Sequence, residues 1–164
     1  MRTLLIALGN DLLSDDGVAH EVPRALTPHA DIETRSLIQL TPEVAEEIAG
    51  YDLAVFIDAD ASAPEVIFEP VDEVPPAHAL THVSTPGEVV VFSRTLFGFS
   101  GRAILCRIPA ADFSAGAGIS KGASHAARLA ASQLQALVAA LSAEPGITRG
   151  AERFFPGIPE SFRG

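Results

Sequence analysis

One cysteine, Cys106, is too few for an internal disulfide or for a cage of thiolates around zinc. It stands in the apolar run Ala103-Ile104-Leu105-Cys106, where a thiol reads as a small buried apolar group. So little cysteine suits a reducing compartment. Basic residues are scarce as well: 11 Lys and Arg stand against 21 Asp and Glu, a net charge of −10. That deficit excludes a general basic surface for nucleic acid and repels anionic membrane. No stretch comes near the roughly 20 apolar residues of a membrane-spanning helix. The apolar run near the N terminus is only about six residues long and meets acids instead of a small-residue cleavage site, so it reads as fold and not as a signal peptide. The expectation is a cytoplasmic protein with no membrane and no nucleic-acid partner.

Several motifs are absent too. No Gly-x-Gly-x-x-Gly follows the first apolar run, so a dinucleotide site would lack its phosphate cradle. There is no Gly-x-x-x-x-Gly-Lys-(Ser/Thr) for nucleotide phosphates and no Gly-x-Ser-x-Gly elbow for a serine hydrolase. Cys106 has no evident base beside it in the sequence, which argues against a cysteine nucleophile.

What is present is an alternation of strand and helix signals. The chain has 164 residues, nearly half of them apolar, enough for one domain with a core that needs no staples. Residues 4–8, 53–58 and 103–108 are short apolar runs that read as buried strands, with weaker strands at 31–37 and 66–71. Residues 16–26 read as a helix with Val18, Val22 and Leu26 on one face, capped by Ser14 or Asp15. Pro23 there predicts a kink or a late start. Thr41-Pro42-Glu43 opens a helix that should end at Gly50. Thr85-Pro86-Gly87-Glu88 matches a capping box. The following Val89-Val90-Val91-Phe92 has strand propensity, but the specific cap and the shared face of Val89, Phe92 and Leu96 favour a helix. Residues 120–141 give the clearest helical periodicity, through Ala123, Ala126, Ala127, Ala130, Leu134, Leu137, Val138 and Leu141. The order β-α-β-α-β-β-α-β-α implies a three-layer αβα sandwich around a mostly parallel sheet of about five strands. Residues 1–141 make a single domain in this reading. Residues 142–164 form a Pro-, Gly- and Arg-rich tail to which no function is assigned, and its Phe154, Phe155 and Phe162 suit docking.

Three residues stand where such a fold places its chemistry. Asp16 lies just beyond the first strand, Asp58 ends the third, and His82 precedes the capped helix. In a parallel α/β sheet all three can fall on the C-terminal edge. Two carboxylates and one imidazole suit a borderline divalent ion such as Zn²⁺ or Ni²⁺. Each also has a plainer role. Asp16 can serve the helix dipole, Asp58 can accept from the backbone of the next loop, and His82 can be a loop histidine. Asp11, Asp15 and Asp60 are spare acids near the same edge, read as supporting or solvated. His20, His29, His78 and His125 show no ligand spacing.

The segment Gly9-Asn10-Asp11-Leu12-Leu13-Ser14-Asp15-Asp16-Gly17, following an apolar strand, resembles the start of the hydrogenase maturation endopeptidases. Three further elements follow in the order of that family: Ile57-Asp58-Ala59; His82 ahead of Pro86, with Leu96-Phe97-Gly98 closing the helix; and Phe113-Ser114-Ala115-Gly116-Ala117-Gly118-Ile119-Ser120. The resemblance spans about residues 2–141. Ala19-His20, Pro23 and residues 60–80 depart from it. It implies an endopeptidase that removes the C-terminal extension of a nickel-iron hydrogenase large-subunit precursor after metal insertion. It also implies that Asp16, Asp58 and His82 bind nickel supplied by that substrate, with Asp16 and Asp58 as catalytic candidates. The rival readings are a related peptidase acting on another precursor and a catalytically silent metal-sensing or chaperone module.

Overall fold

The computed structural model describes residues 1–73, 84–116 and 118–143. Strands β1 (Thr3–Leu8), β2 (Ile32–Leu37), β3 (Leu53–Asp60), β4 (Ile67–Pro70) and β5 (Arg102–Pro109) form one sheet in the spatial order β2-β1-β3-β5-β4. β1 pairs in parallel with β2 and β3, and β3 with β5; β4 alone runs antiparallel, along β5. All of β1 is buried because helices cover both faces of the sheet, which is why residues 4–8 are continuously apolar and do not alternate.

Alternate residues of each strand enter two cores. Leu5, Ala7, Val55, Ile57 and Cys106 pack with α1 (Glu21–Ala25) and α4 (Lys121–Ala143). Leu4, Ile6, Leu8, Ala54 and Phe56 pack with α2 (Val44–Ile48) and α3 (Pro86–Phe92). This is the three-layer αβα sandwich expected from the order of elements. Phe56, Leu4, Leu5 and Ile6 are among the largest fully buried side chains. Burying a side chain of that size contributes about 1.5–3 kcal/mol. Cys106 is fully buried, and burial pushes its thiol well above the ordinary range, so it is a packing residue. Among the described residues no helix is long and apolar enough to cross a membrane.

Each of the four expected helical segments forms, two of them with other bounds. The capping box forms: Glu88 N donates to Thr85 Oγ1 at 3.2 Å, and Thr85 N donates to the Glu88 carboxylate at 2.7 Å. This start, with Pro86 in the first turn, overrides the β-propensity of the valines. Thr85→Ala should cost about 1 kcal/mol of stability. A chemical-denaturation midpoint indistinguishable from wild type would refute that role for Thr85. Leu96, expected on the buried face, is instead 66% exposed. The helix widens into a π turn over Ser93–Phe97 before Gly98 ends it in the left-handed region, so the 3.6-residue spacing no longer applies there.

The helix expected at 16–26 is in two parts. A 3-10 helix, Ser14–His20, leads into α1 at Glu21. Pro23 has no N–H and would clash with a carbonyl four residues back, so it fits only in the first turn of an α-helix. Neither Ser14 nor Asp15 caps this segment as expected, because both side chains turn to the loop between β5 and α4. α2 is shorter than residues 41–50, since 3-10-type bonds from Val44 to Thr41 and from Ala45 to Pro42 occupy its first turn. β3 runs two residues past Asp58, which therefore lies within a strand and opposite Arg107 of β5. α4 continues through Ala143, and residues 144–164 lie outside the described residues.

Candidate functional site

β1 sits between β2 and β3, so the chain leaves β1 for one side of the sheet and later returns on the other. The covering helix also changes face between these steps, from α1 to α2. Such a reversal opens a crevice at the C-terminal ends of the two strands, where open α/β sheets bind ligands. Asp16 reaches that crevice from the 3-10 helix after β1. Asp58 reaches it from β3, on the face that also carries Ala54 and Phe56.

Gly9 makes the approach of Asp16 possible. Its φ is +144°, and a Cβ at this position would lie 1.9 Å from the backbone oxygen of Asp16. Only glycine lets the end of β1 and the 3-10 helix come this close. The same contact aligns Asn10, whose backbone N–H donates to Asp16 Oδ2 at 2.7 Å. The Gly-Asn pair just beyond β1 is thus the support of Asp16.

Asp58 is half-buried and accepts from the Ala59 N–H at 2.9 Å. Its carboxyl is pushed up to about 6, first by burial and then by the negative charges of Asp16 and Asp60; the Ala59 hydrogen bond opposes the shift only in part. The carboxylates of Asp16 and Asp58 therefore feel one another. A pair held this way favours a shared proton or a cation between them. Two oxygen donors supply half a tetrahedral shell. Among the described residues no group of three or more His, Cys, Asp or Glu is arranged to hold a metal. His82 lies outside the described residues, as does His78.

The spare acids have other partners. Asp15, expected to support the site or be solvated, is fully buried and ties the 3-10 helix to the start of α4. It accepts from Ser120 N at 2.6 Å, Ser120 Oγ at 3.0 Å, Ala111 N at 3.1 Å and Asp112 N at 3.2 Å. Asp60 pairs with Arg107 at 2.5 Å and accepts from Ser62 N at 2.6 Å; these contacts, Ser62 foremost, bring its carboxyl down to about 2. Asp11 is exposed but bonded to His20. His29 and His125 are exposed. Two contributors escaped the sequence reading. Arg107 takes up the charge of Asp60 next to Asp58, and Ser120 both holds Asp15 and accepts from Ala123 N in the first turn of α4. The Gly-rich run ending at Ser120 was the available signal for the second; nothing in the sequence pairs Arg107 with Asp60.

No protein-family model matches the chain, and no curated protein matches its sequence. Solved structures do match. The hydrogenase maturating endopeptidase HybD from E. coli superposes with a TM-score of 0.68 at 20% identity, over 87% of this chain and 93% of that one. The [NiFe] hydrogenase maturation protease HycI from Thermococcus kodakarensis gives 0.61 at 20% identity, over 81% and 89%. A hydrogenase 2 maturation peptidase from a Thaumarchaeota archaeon gives 0.60 at 17% identity, over 84% and 98%. These cover nearly the whole of each relative, so the chain has the fold of the hydrogenase maturation endopeptidases.

Proposed function

We propose that this protein is a cytoplasmic endopeptidase that removes the C-terminal extension of a nickel-iron hydrogenase large-subunit precursor once nickel is in place. What supports the reading is that Asp16 and Asp58 follow the two strands at the sheet's topological switch point, near enough for the charge of Asp16 to raise the Asp58 carboxyl, with Gly9 and the Asn10 amide holding Asp16. His82 completes the set in this proposal. Ser84, two residues beyond it, donates to the Leu40 carbonyl at 3.0 Å, and Leu40 belongs to the core on the same face of the sheet as Asp58. Substrate nickel held by two carboxylates and an imidazole would be bound modestly, since no thiolate contributes. The precursor's own ligands would complete the shell, so recognition becomes conditional on correct loading. If catalytic, the nickel held by Asp16, Asp58 and His82 would supply Lewis-acid character at the cut; if it only aligned the substrate, Asp16 or Asp58 would take the proton of the attacking water.

The test is to incubate the protein with nickel-loaded and nickel-free precursor and to measure product mass. Loaded precursor should be shortened at its C terminus while nickel-free precursor is not. Equal cleavage of both would overturn metal gating, and cleavage of neither would favour a silent metal-sensing module. His82→Ala should weaken Ni²⁺ binding about tenfold or more with unchanged thermal unfolding, as loss of one ligand among three predicts. A large loss of stability at unchanged nickel affinity would instead make His82 structural.

A further inference from the structure

One polar pair, a buried histidine with an exposed carboxylate, is not used by the function proposed above. His20 closes the 3-10 helix with its side chain only 8% exposed, and its Nδ1 lies 2.8 Å from Oδ1 of Asp11, whose side chain is 59% exposed. A carboxylate can only accept, so the proton of this bond sits on Nδ1. Nε2 is buried and has no hydrogen-bond partner among the described residues. The ring thus forgoes solvation at one nitrogen while its other nitrogen holds a surface loop. An apolar residue would fill the same space without that cost.

What the pair holds is the loop that supports Asp16. Leu13 N donates to the Asn10 carbonyl at 2.9 Å and Leu12 N to Asn10 Oδ1 at 3.0 Å, which makes the loop one compact turn. It meets the 3-10 helix at two glycines. Gly9 lies against the Asp16 backbone, and a Cβ on Gly17 would come within 2.7 Å of Asp11 Oδ1 and 3.0 Å of Asp11 Cα. It is tied there by two side-chain bonds from neighbouring residues, Asn10 N to Asp16 and Asp11 to His20. Because Asn10 and Asp11 are consecutive, fixing the second restricts the first.

We propose that Asp11 and His20 form a latch that keeps the Asn10 amide on the Asp16 carboxylate, which makes His20 a positioning residue for the site. The latch concerns backbone geometry, whereas its consequence for nickel rests on the function proposed above. Asp11→Ala opens no cavity, because the side chain is exposed. His20→Phe keeps a ring but removes the donor. Asp11→Asn retains an acceptor oxygen for Nδ1–H.

The experiment is amide hydrogen exchange by NMR on the full chain, with titration by Ni²⁺ alone. Protection of the Asn10 amide should fall about tenfold in Asp11→Ala and in His20→Phe, no further in the double variant, and less in Asp11→Asn, while the amides of β1 and β3 keep theirs. Nickel affinity should fall about tenfold in the first two variants, as for other residues that orient a ligand. Unchanged Asn10 protection in Asp11→Ala overturns the latch whatever nickel does. So does a loss of protection spread over β1 and β3, which would mean general destabilisation. If Asn10 loses protection as stated but the wild-type chain binds no nickel, the latch stands and the metal-gated function fails.

Discussion

Asp15→Ala is expected to cost about 4 kcal/mol of folding stability, the largest loss from any single acid among the described residues. Its carboxylate is fully buried and accepts four hydrogen bonds, three of them from backbone N–H groups that alanine would strand. Each orphaned buried donor costs about 1–3 kcal/mol, and partial collapse or water entry recovers part of the sum. The pH dependence has a definite sign. Burial alone would raise this carboxyl, yet the bonds from Ser120, Ala111 and Asp112 outweigh it and hold the group below its ordinary value of 3.8. A depressed acid stabilises the fold fully above its unfolded value, and that contribution disappears as pH falls through the lower folded value. Chemical denaturation should therefore show a wide gap between wild type and Asp15→Ala at pH 7 that narrows as pH falls below the ordinary value of 3.8. A gap that stays constant into acid would show that the ionised carboxylate is not the anchor.

Asp58→Asn should move stability and activity in opposite directions. Burial, with the charges of Asp16 and Asp60, raises the Asp58 carboxyl from 3.8 to about 6. For an acid with a raised folded value the sign is reversed. The ionised group costs nothing below pH 3.8, costs progressively more up to pH 6, and carries its full cost above that. The amide removes the charge at nearly constant shape. The variant should gain about 1 kcal/mol at pH 7 to 8, a figure reduced for solvent screening at a half-exposed site, and should gain nothing near pH 3.5. Cleavage of loaded precursor should fall about 10³-fold, as expected for loss of an acid–base or charge-stabilising carboxylate. A variant that is both more stable and inactive would mark Asp58 as a residue kept for chemistry at the expense of the fold. Wild-type cleavage rates in Asp58→Asn would remove it from the mechanism. An unchanged thermal midpoint at pH 8 would mean that the carboxyl is better solvated than its setting implies.

The two acids of Asp15-Asp16 mark where the sequence stops being informative. They are identical and adjacent, yet one is an anchor and the other faces the candidate site. In a 3-10 helix successive side chains diverge by about 120°, so neighbours must point at different surroundings. Which surroundings each meets depends on residues far along the chain: Ser120, about a hundred positions later, for Asp15, and Asp58 for Asp16. The motif resemblance selected Asp16; composition and periodicity could not.

The sequence by itself determined the elements whose signals are local. Apolar runs marked β1 and β3 because both faces of these strands are covered, and β5 because one face is buried and the other half-buried. The Thr85–Glu88 box marked the start of α3, since its hydrogen bonds close within four residues. Regular alanine and leucine spacing marked α4. Only the tertiary structure decided the rest. Pro23 warned of a break, but nothing local told that the part before it would be a 3-10 helix with Ser14 and Asp15 bonded to the loop between β5 and α4. Leu96 left the buried face because a π turn shifted the period. β4 became the antiparallel edge through its pairing with β5, and Asp60 and Arg107 found each other across the sheet. Hydrogen bonds and periodicity within one turn are written in neighbouring residues, whereas the partner of a buried charge is chosen by packing among segments far apart in the chain.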